Sequence, residues 1–252
     1  MANEITIKFG SFALDSTNNI SIGKISIKES KPVITTPIPK TDGSIAETVK
    51  RNSILITVEG DISGTEYDNL RTNLDALKAA LQNGLQEFIT DDDRYIKAQL
   101  KDFDFTYDAM RTFAKWTATF IAHYPYWQAE TATTDTRTPT SGVGYTLTNN
   151  GNASARVKIE ITAPAGGIVD NIQIENTTLG LTLKYRGTLA AGKVLEIDNR
   201  YDTDDFQVLN DGNDDIANFE GDFIIRTPGN NTIEYTGTAG ASVKIYWKNT
   251  WI

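Results

Sequence analysis

The sequence has no cysteine and a single histidine, His123, which excludes a disulfide framework and thiolate zinc sites and leaves almost no imidazole for triad chemistry. No run of 18 apolar residues exists, so no stretch can cross a bilayer as a helix and no membrane insertion is expected. The Met1-Ala2-Asn3-Glu4 start lacks the basic and apolar regions of a signal peptide, and synthesis in cytoplasm is the expectation. Positive charge is in deficit as well. With 24 Lys and Arg against 33 Asp and Glu the formal charge is -9, which disfavours an outer surface that holds nucleic acid by its phosphates. Neither a cofactor nor a metal is expected, and the protein does not read as an enzyme.

Helical periodicity is scarce too, and the rest of the chain is organised around the one place where it occurs. Tyr67, Leu70, Leu74, Leu77 and Leu81 recur at spacings of three and four, with Arg71, Asp75 and Lys78 on other faces. Thr65-Glu66-Tyr67-Asp68 reads as a capped start, the Thr65 hydroxyl accepting from a first-turn N–H, and Gly84 as a left-handed stop. A helix is expected over 65–83, about 25 Å long and able to cover one face of a sheet.

The remainder reads as strands. Residues 4–9 and Ile20, Ile22, Ile25 and Ile27 open the chain in β style. Residues 29–52 carry Pro32, Pro37 and Pro39 and few large apolar side chains; this is expected to be an extended arm that packs on a neighbour, with Pro32, Val33, Ile34, Pro37, Ile38 and Pro39 as its contact residues. Residues 54–59 follow as a strand closed by Gly60 and Gly64. After the helix comes a hairpin, 86–89 with 95–105, turning at Asp91-Asp92-Asp93-Arg94, then a strand over 115–124 that Pro125 ends. The first domain is placed at 1–127.

Residues 128–141 hold six threonines and no large apolar residue, and read as an exposed linker. From 142 to 252, short strands alternate with turn glycines such as Gly151, Gly192, Gly212, Gly229 and Gly240, without a helix. The fold class is mainly β with one amphipathic helix: an N-terminal β-sandwich or α+β domain, then a C-terminal β-sandwich.

Three constellations invite chemical readings. The Asp91-Asp92-Asp93-Arg94 run offers oxygens to a divalent cation, but three acids and an arginine between strands read better as a solvated turn. Residues 198–222 hold nine acids against Arg200 alone. There Asp211, Asp214 and Asp215 echo a calcium loop yet lack its spacing and closing glutamate, so a solvated acidic loop is expected. His123 stands at the end of an apolar strand with no partner set and reads as a packing or backbone-bonded residue, and Trp116, Trp127, Trp247 and Trp251 as core and seam fillers.

Several runs, in their order, resemble a known family. Gly60-Asp61-Ile62-Ser63-Gly64, the capped helix, Asp91-Asp92-Asp93-Arg94, and Trp116 through Tyr124-Pro125-Tyr126-Trp127 resemble the amino-terminal domain of the distal tail proteins of long-tailed bacteriophages. Asn149-Asn150-Gly151-Asn152, Asp170-Asn171-Ile172 leading to Gly180-Leu181, Arg226-Thr227-Pro228-Gly229-Asn230-Asn231 and Tyr246-Trp247 resemble that family's galectin-like carboxy-terminal sandwich. The resemblance implies a structural component of the virion tail tip: a homohexameric hub ring, single or back to back, through which DNA passes transiently. Its implied partners are the tail tube protein, a tail-associated tip or lysin protein, and receptor-binding or side-fibre proteins. A closed ring needs heterologous contacts, for which the arm is the candidate, received by strands 54–59 or 95–103. The alternative is an accessory module that recognises a bacterial surface glycan, although residues 181–198 lack the histidine-rich, tryptophan-centred set that galectins use for galactosides.

Overall fold

A computed structural model describes residues 7–30, 34–37, 44–47, 51–90, 93–200 and 206–252. The chain divides into two compact units, 1–127 and 128–252.

The first unit begins with β1 (Lys8–Phe9), β2 (Phe12–Ala13) and β3 (Ile20–Lys28), followed by β4 (Ile34–Pro37), β5 (Ser44–Glu47) and β6 (Ile54–Ser63). Helix α1 (Tyr67–Leu81), β7 (Gln86–Thr90), β8 (Arg94–Tyr107) and β9 (Phe113–Ala122) complete it. The main sheet runs β2-β1-β7-β8-β9-β6-β3, all antiparallel. Helix α1 buries Leu70, Leu74, Leu77 and Leu81 and packs against β6, so the apolar stripe finds its sheet. Phe9, Phe88 and Phe120 meet in the core with ring centroids 4.8 and 5.4 Å apart.

Local details differ from the expectations. The N-cap of α1 is Glu66, in extended conformation and without a side-chain cap, while the Thr65 hydroxyl accepts from Asn69 Nδ2 at 2.5 Å instead of from the backbone. Tyr67 is partly exposed and not part of the buried stripe. Gly60 does not close a strand: β6 runs on to Ser63, and Gly60 lies opposite Trp116 of β9. Gly84 does take a positive φ, +76°.

In the second unit β10 (Trp127–Ala129), at the junction, and β11 (Thr133–Arg137) occupy what reads in sequence as linker. Then come β12 (Val143–Asn149), β13 (Ala155–Thr162), β14 (Ile172–Asn176), β15 (Leu181–Tyr185), β16 (Val194–Asp198), β17 (Gln207–Asn210) and β18 (Asn213–Asp214). The last are β19 (Phe219–Gly221), β20 (Ile225–Arg226), β21 (Gly229–Thr236), β22 (Ser242–Trp247) and β23 (Thr250–Trp251). Two sheets stack as a sandwich, β11-β22-β13-β16-β17-β18 against β12-β21-β14-β15-β19. Strands such as β13 and β21 alternate buried and half-buried residues, as a strand with one face on a core must. The threonine-rich 133–137 segment is therefore an edge strand and not a free linker; polar Thr and charged side chains suit an edge because they blunt further pairing.

The fold is thus mainly β with one amphipathic helix: a helix-covered sheet followed by a β-sandwich.

Candidate assembly site

Residues 29–30 and 51–52, the two ends of the arm, extend the main sheet of the first unit. β3 and β6 pair from Ile20–Ile62 out to Lys28–Leu55; beyond them Asn52 N donates to Ser30 O at 3.2 Å and Arg51 pairs with Glu29 at 3.4 Å. Farther out, β4 and β5 pair from Ile34–Glu47 to Pro37–Ser44. Strands β4 and β5 form a two-stranded antiparallel ribbon of their own. Of the candidate arm residues, Ile34 and Pro37 open and close β4, and Pro32, Val33, Ile38 and Pro39 lie outside the described residues.

The ribbon bears on how an incoming strand could dock. Strand β6 has β3 on one side and β9 on the other, so the 54–59 segment offers no free edge. Strand β8 bonds β7 through Ala98 and β9 from Gln99 onward, so most of 95–103 has a described partner. The outer edge of the sheet is β3 itself, and its Ile27 is 45% exposed.

Away from α1, the sheet face of β3, β6, β9 and β8 is polar. Cross-strand rows place Ser26, Thr57, Thr119 and Asp102 together, then Lys24, Glu59, Thr117 and Asp104, then Ser21, Asp61, Lys115 and Thr106. The next row holds Lys28 and Gln99 beside Leu55 and Ile121; Glu59, Asp61, Asp102 and Asp104 are interspersed with Lys24, Lys28, Lys115 and, at the β8 bulge, exposed Lys101, and Lys24 is paired to Glu59 at 3.5 Å. The face is a largely polar, hydroxyl-rich surface of mixed charge.

In the second unit four buried asparagines grip one segment. Asn199 Nδ2 donates to Ile224 O at 3.3 Å, Asn176 Nδ2 to Ile225 O at 2.8 Å, and Asn149 Nδ2 to Arg226 O at 3.2 Å. Asn231 Nδ2 donates to Thr227 O at 2.8 Å and Gly229 O at 3.0 Å. The short β20 and the turn after it thus gain from side chains the bonds that a longer ladder would supply. The motif reading caught Asn149 and Asn231 but missed Asn176 and Asn199; a strand-ending Asn before a Thr-Thr-Leu-Gly turn was the available signal.

The acidic loop is engaged internally. Asp211 pairs with Lys193 at 2.7 Å, Asp214 Oδ1 accepts from Ile216 N at 3.2 Å, and Asp215 accepts from the Tyr185 hydroxyl and, at 2.7 Å, from Asn218 Nδ2. The Tyr185 bond holds the Asp215 carboxyl below its ordinary value. Burial, with Asp215 beside it, pushes the Tyr185 phenol up to about 12. Asp211-Gly212 is a tight hairpin turn between β17 and β18, with φ of 51° and 79°. Among the described residues no three His, Asp or Glu side chains converge on a point fit for a metal ion. Asp91 and Asp92 lie outside them, and Asp93 takes a left-handed φ of 54° at the hairpin. His123 is exposed, 3.0 Å from the Gln99 amide, and does not pack in a core. Trp116, Trp127 and Trp247 are buried, and Trp251 is half-buried.

Residues 150–251 match the model of the C-terminal domain of the siphovirus-type tail component family. Over these residues the chain is similar to a siphovirus tail component. The asparagine grip lies in that tail component domain, apart from Asn149, which immediately precedes it. The SPP1 Dit protein, described as a paradigm of the hub adsorption apparatus in phages infecting Gram-positive bacteria, shares the fold with a TM-score of 0.76. The comparison covers 99% of this chain and 100% of that one at 14% identity. A chain of the phage p2 baseplate, in its activated conformation with strontium, follows at a TM-score of 0.53 and 11% identity, covering 97% and 98%. No curated protein matches the sequence.

Proposed function

We propose that the protein is a structural hub of a siphophage tail tip, one copy in a hexameric ring that joins the tail tube to the adsorption apparatus and lets DNA through. The observation that carries this is the end-to-end likeness of fold to SPP1 Dit together with the tail component domain at 150–251.

The ribbon and the polar face support the reading. A ring of like subunits needs a heterologous contact. A two-stranded ribbon such as β4–β5 suits one, because strands already paired have less conformational entropy to lose on docking than a free loop. In this reading, the arm 29–52 reaches a neighbouring copy, and the hydroxyl-rich face of β3, β6, β9 and β8 lines the channel, where its mixed charge offers DNA phosphates no net attraction. The tail tube protein, a tip protein and receptor-binding or fibre proteins are the partners, and the virion tail tip is the location.

Light scattering across a concentration series tests it, on the intact chain and on a chain with 29–52 replaced by a two-residue turn. Mass of six or twelve copies, lost with the ribbon, is the expected result. An intact chain that stays monomeric at all concentrations and remains so when mixed with tail tube protein overturns the ring.

A further inference from the structure

One charge in the core of the second unit is left without a neutralising partner among the described residues. Arg226 is fully buried, and its Nε, Nη1 and Nη2 meet no hydrogen-bond acceptor. The side chain is forced inward from two directions. Its ladder partner on β13, Ala155, faces the core, and Asn149 fixes the Arg226 carbonyl. One guanidinium face rests on Trp247, 3.7 Å from the ring centroid, and the indole Nε1 of Trp247 is also buried and unpartnered. Asp135, on the edge strand β11, lies within electrostatic reach. Its two oxygens, however, accept from Arg137 Nε at 2.6 Å and Nη2 at 3.0 Å, and Arg137 in turn covers the Tyr145 ring at 4.6 Å. Among the described residues, two guanidiniums against one carboxylate give this seam between β11 and β12 a surplus positive charge.

An uncompensated buried charge is among the most costly features a core can hold. The chemistry of the free groups says what would relieve it. All of them, the guanidinium N–H groups and the indole N–H, are donors, and an acceptor-only ligand completes such a set. One guanidinium face is occupied by Trp247, and the N–H groups point outward in the guanidinium plane, where parallel N–H bonds fit a carboxylate and converging ones a halide. Arg226 is fully buried, so a small free anion suits the site better than one carried on a bulky partner.

We propose that Arg226 and Trp247 form an internal site for a small free anion, a halide or a carboxylate of formate size, admitted at the seam between β11 and β12. The site is independent of ring formation, since it lies within one sandwich and needs no second copy.

The test is thermal unfolding of the full chain in chloride, formate or gluconate at one ionic strength, gluconate being too large to enter. In the wild type the midpoint rises saturably with chloride or formate, by about 3–6 °C at tenfold the dissociation constant, and not with gluconate. Arg226→Met removes the charge at similar volume and abolishes the chloride and formate dependence. Equal dependence in the variant, or none in the wild type, overturns the site. Should Arg226→Met not fold, crystals of the wild type grown in bromide decide: an anomalous peak in the guanidinium plane is expected, and no peak there overturns the proposal.

Discussion

Trp116 closes over Gly60 between adjacent strands: a methyl group at position 60 would stand 3.0 Å from the indole and 2.6 Å from the Ser21 carbonyl oxygen. The indole is 2% exposed and walled by the sheet, so it cannot swing away. Gly60→Ala is expected to destabilise the first unit by about 1–3 kcal/mol through overpacking. Urea unfolding would show an earlier transition for that unit with the second unchanged, and an unaltered midpoint would mean that the contact relaxes freely.

Truncating the helix stripe has the opposite geometry and a larger cost. Leu74 is 1% exposed between α1 and the sheet, so Leu74→Ala leaves a cavity and should cost about 2–5 kcal/mol. Exposed Asp75, one position along, serves as the control: Asp75→Ala should change stability by less than about 0.5 kcal/mol. Paired denaturation curves would separate the two.

The asparagine grip predicts a graded loss. Asn176→Ala strands the Ile225 carbonyl and removes a bond to Asn231 Oδ1 at 3.2 Å, and should cost about 1–3 kcal/mol in the second unit. Amide exchange should quicken around 224–231 before the sandwich as a whole opens. Uniformly faster exchange throughout the unit would instead show that Asn176 supports the whole core.

Asp215 makes stability depend on acid. Its carboxyl titrates lower in the fold than in the unfolded chain because it accepts from Tyr185, so the fold binds the proton less well. Its contribution is therefore complete above the ordinary carboxylate value near 3.8 and is lost as pH falls through the lowered one. Asp215→Asn should flatten the decline in unfolding temperature between about pH 5 and pH 2. At the other end, Tyr185 holds its proton up to about 12, so the fold loses stability as pH climbs from 10 through that value. Tyr185→Phe should lessen the alkaline loss, and an unchanged slope in either variant would detach the Tyr185–Asp215 bond from stability.

Local pattern alone determined much of this protein. The 3.6-residue period of Leu70, Leu74, Leu77 and Leu81 fixes a helix and its buried face, because only one face of a helix can meet a sheet. Two-residue alternation and left-handed turn glycines mark most strands of the sandwich, because each half-buried strand must present one side to the core. Tertiary structure decided what sequence neighbours cannot encode. The threonine-rich 133–137 segment becomes a strand only because β22 offers it an open edge, and within the proline-bearing arm Ile34–Pro37 finds its partner in Ser44–Glu47. Gly60 is required by an indole 56 positions away. Asn199 grips a carbonyl 25 positions along the chain. Arg226, which would pass for a surface charge in any local reading, is drawn inward by Ala155 and Asn149 and stacked on Trp247, because partners distant in sequence settle which face of a two-residue strand is the inside.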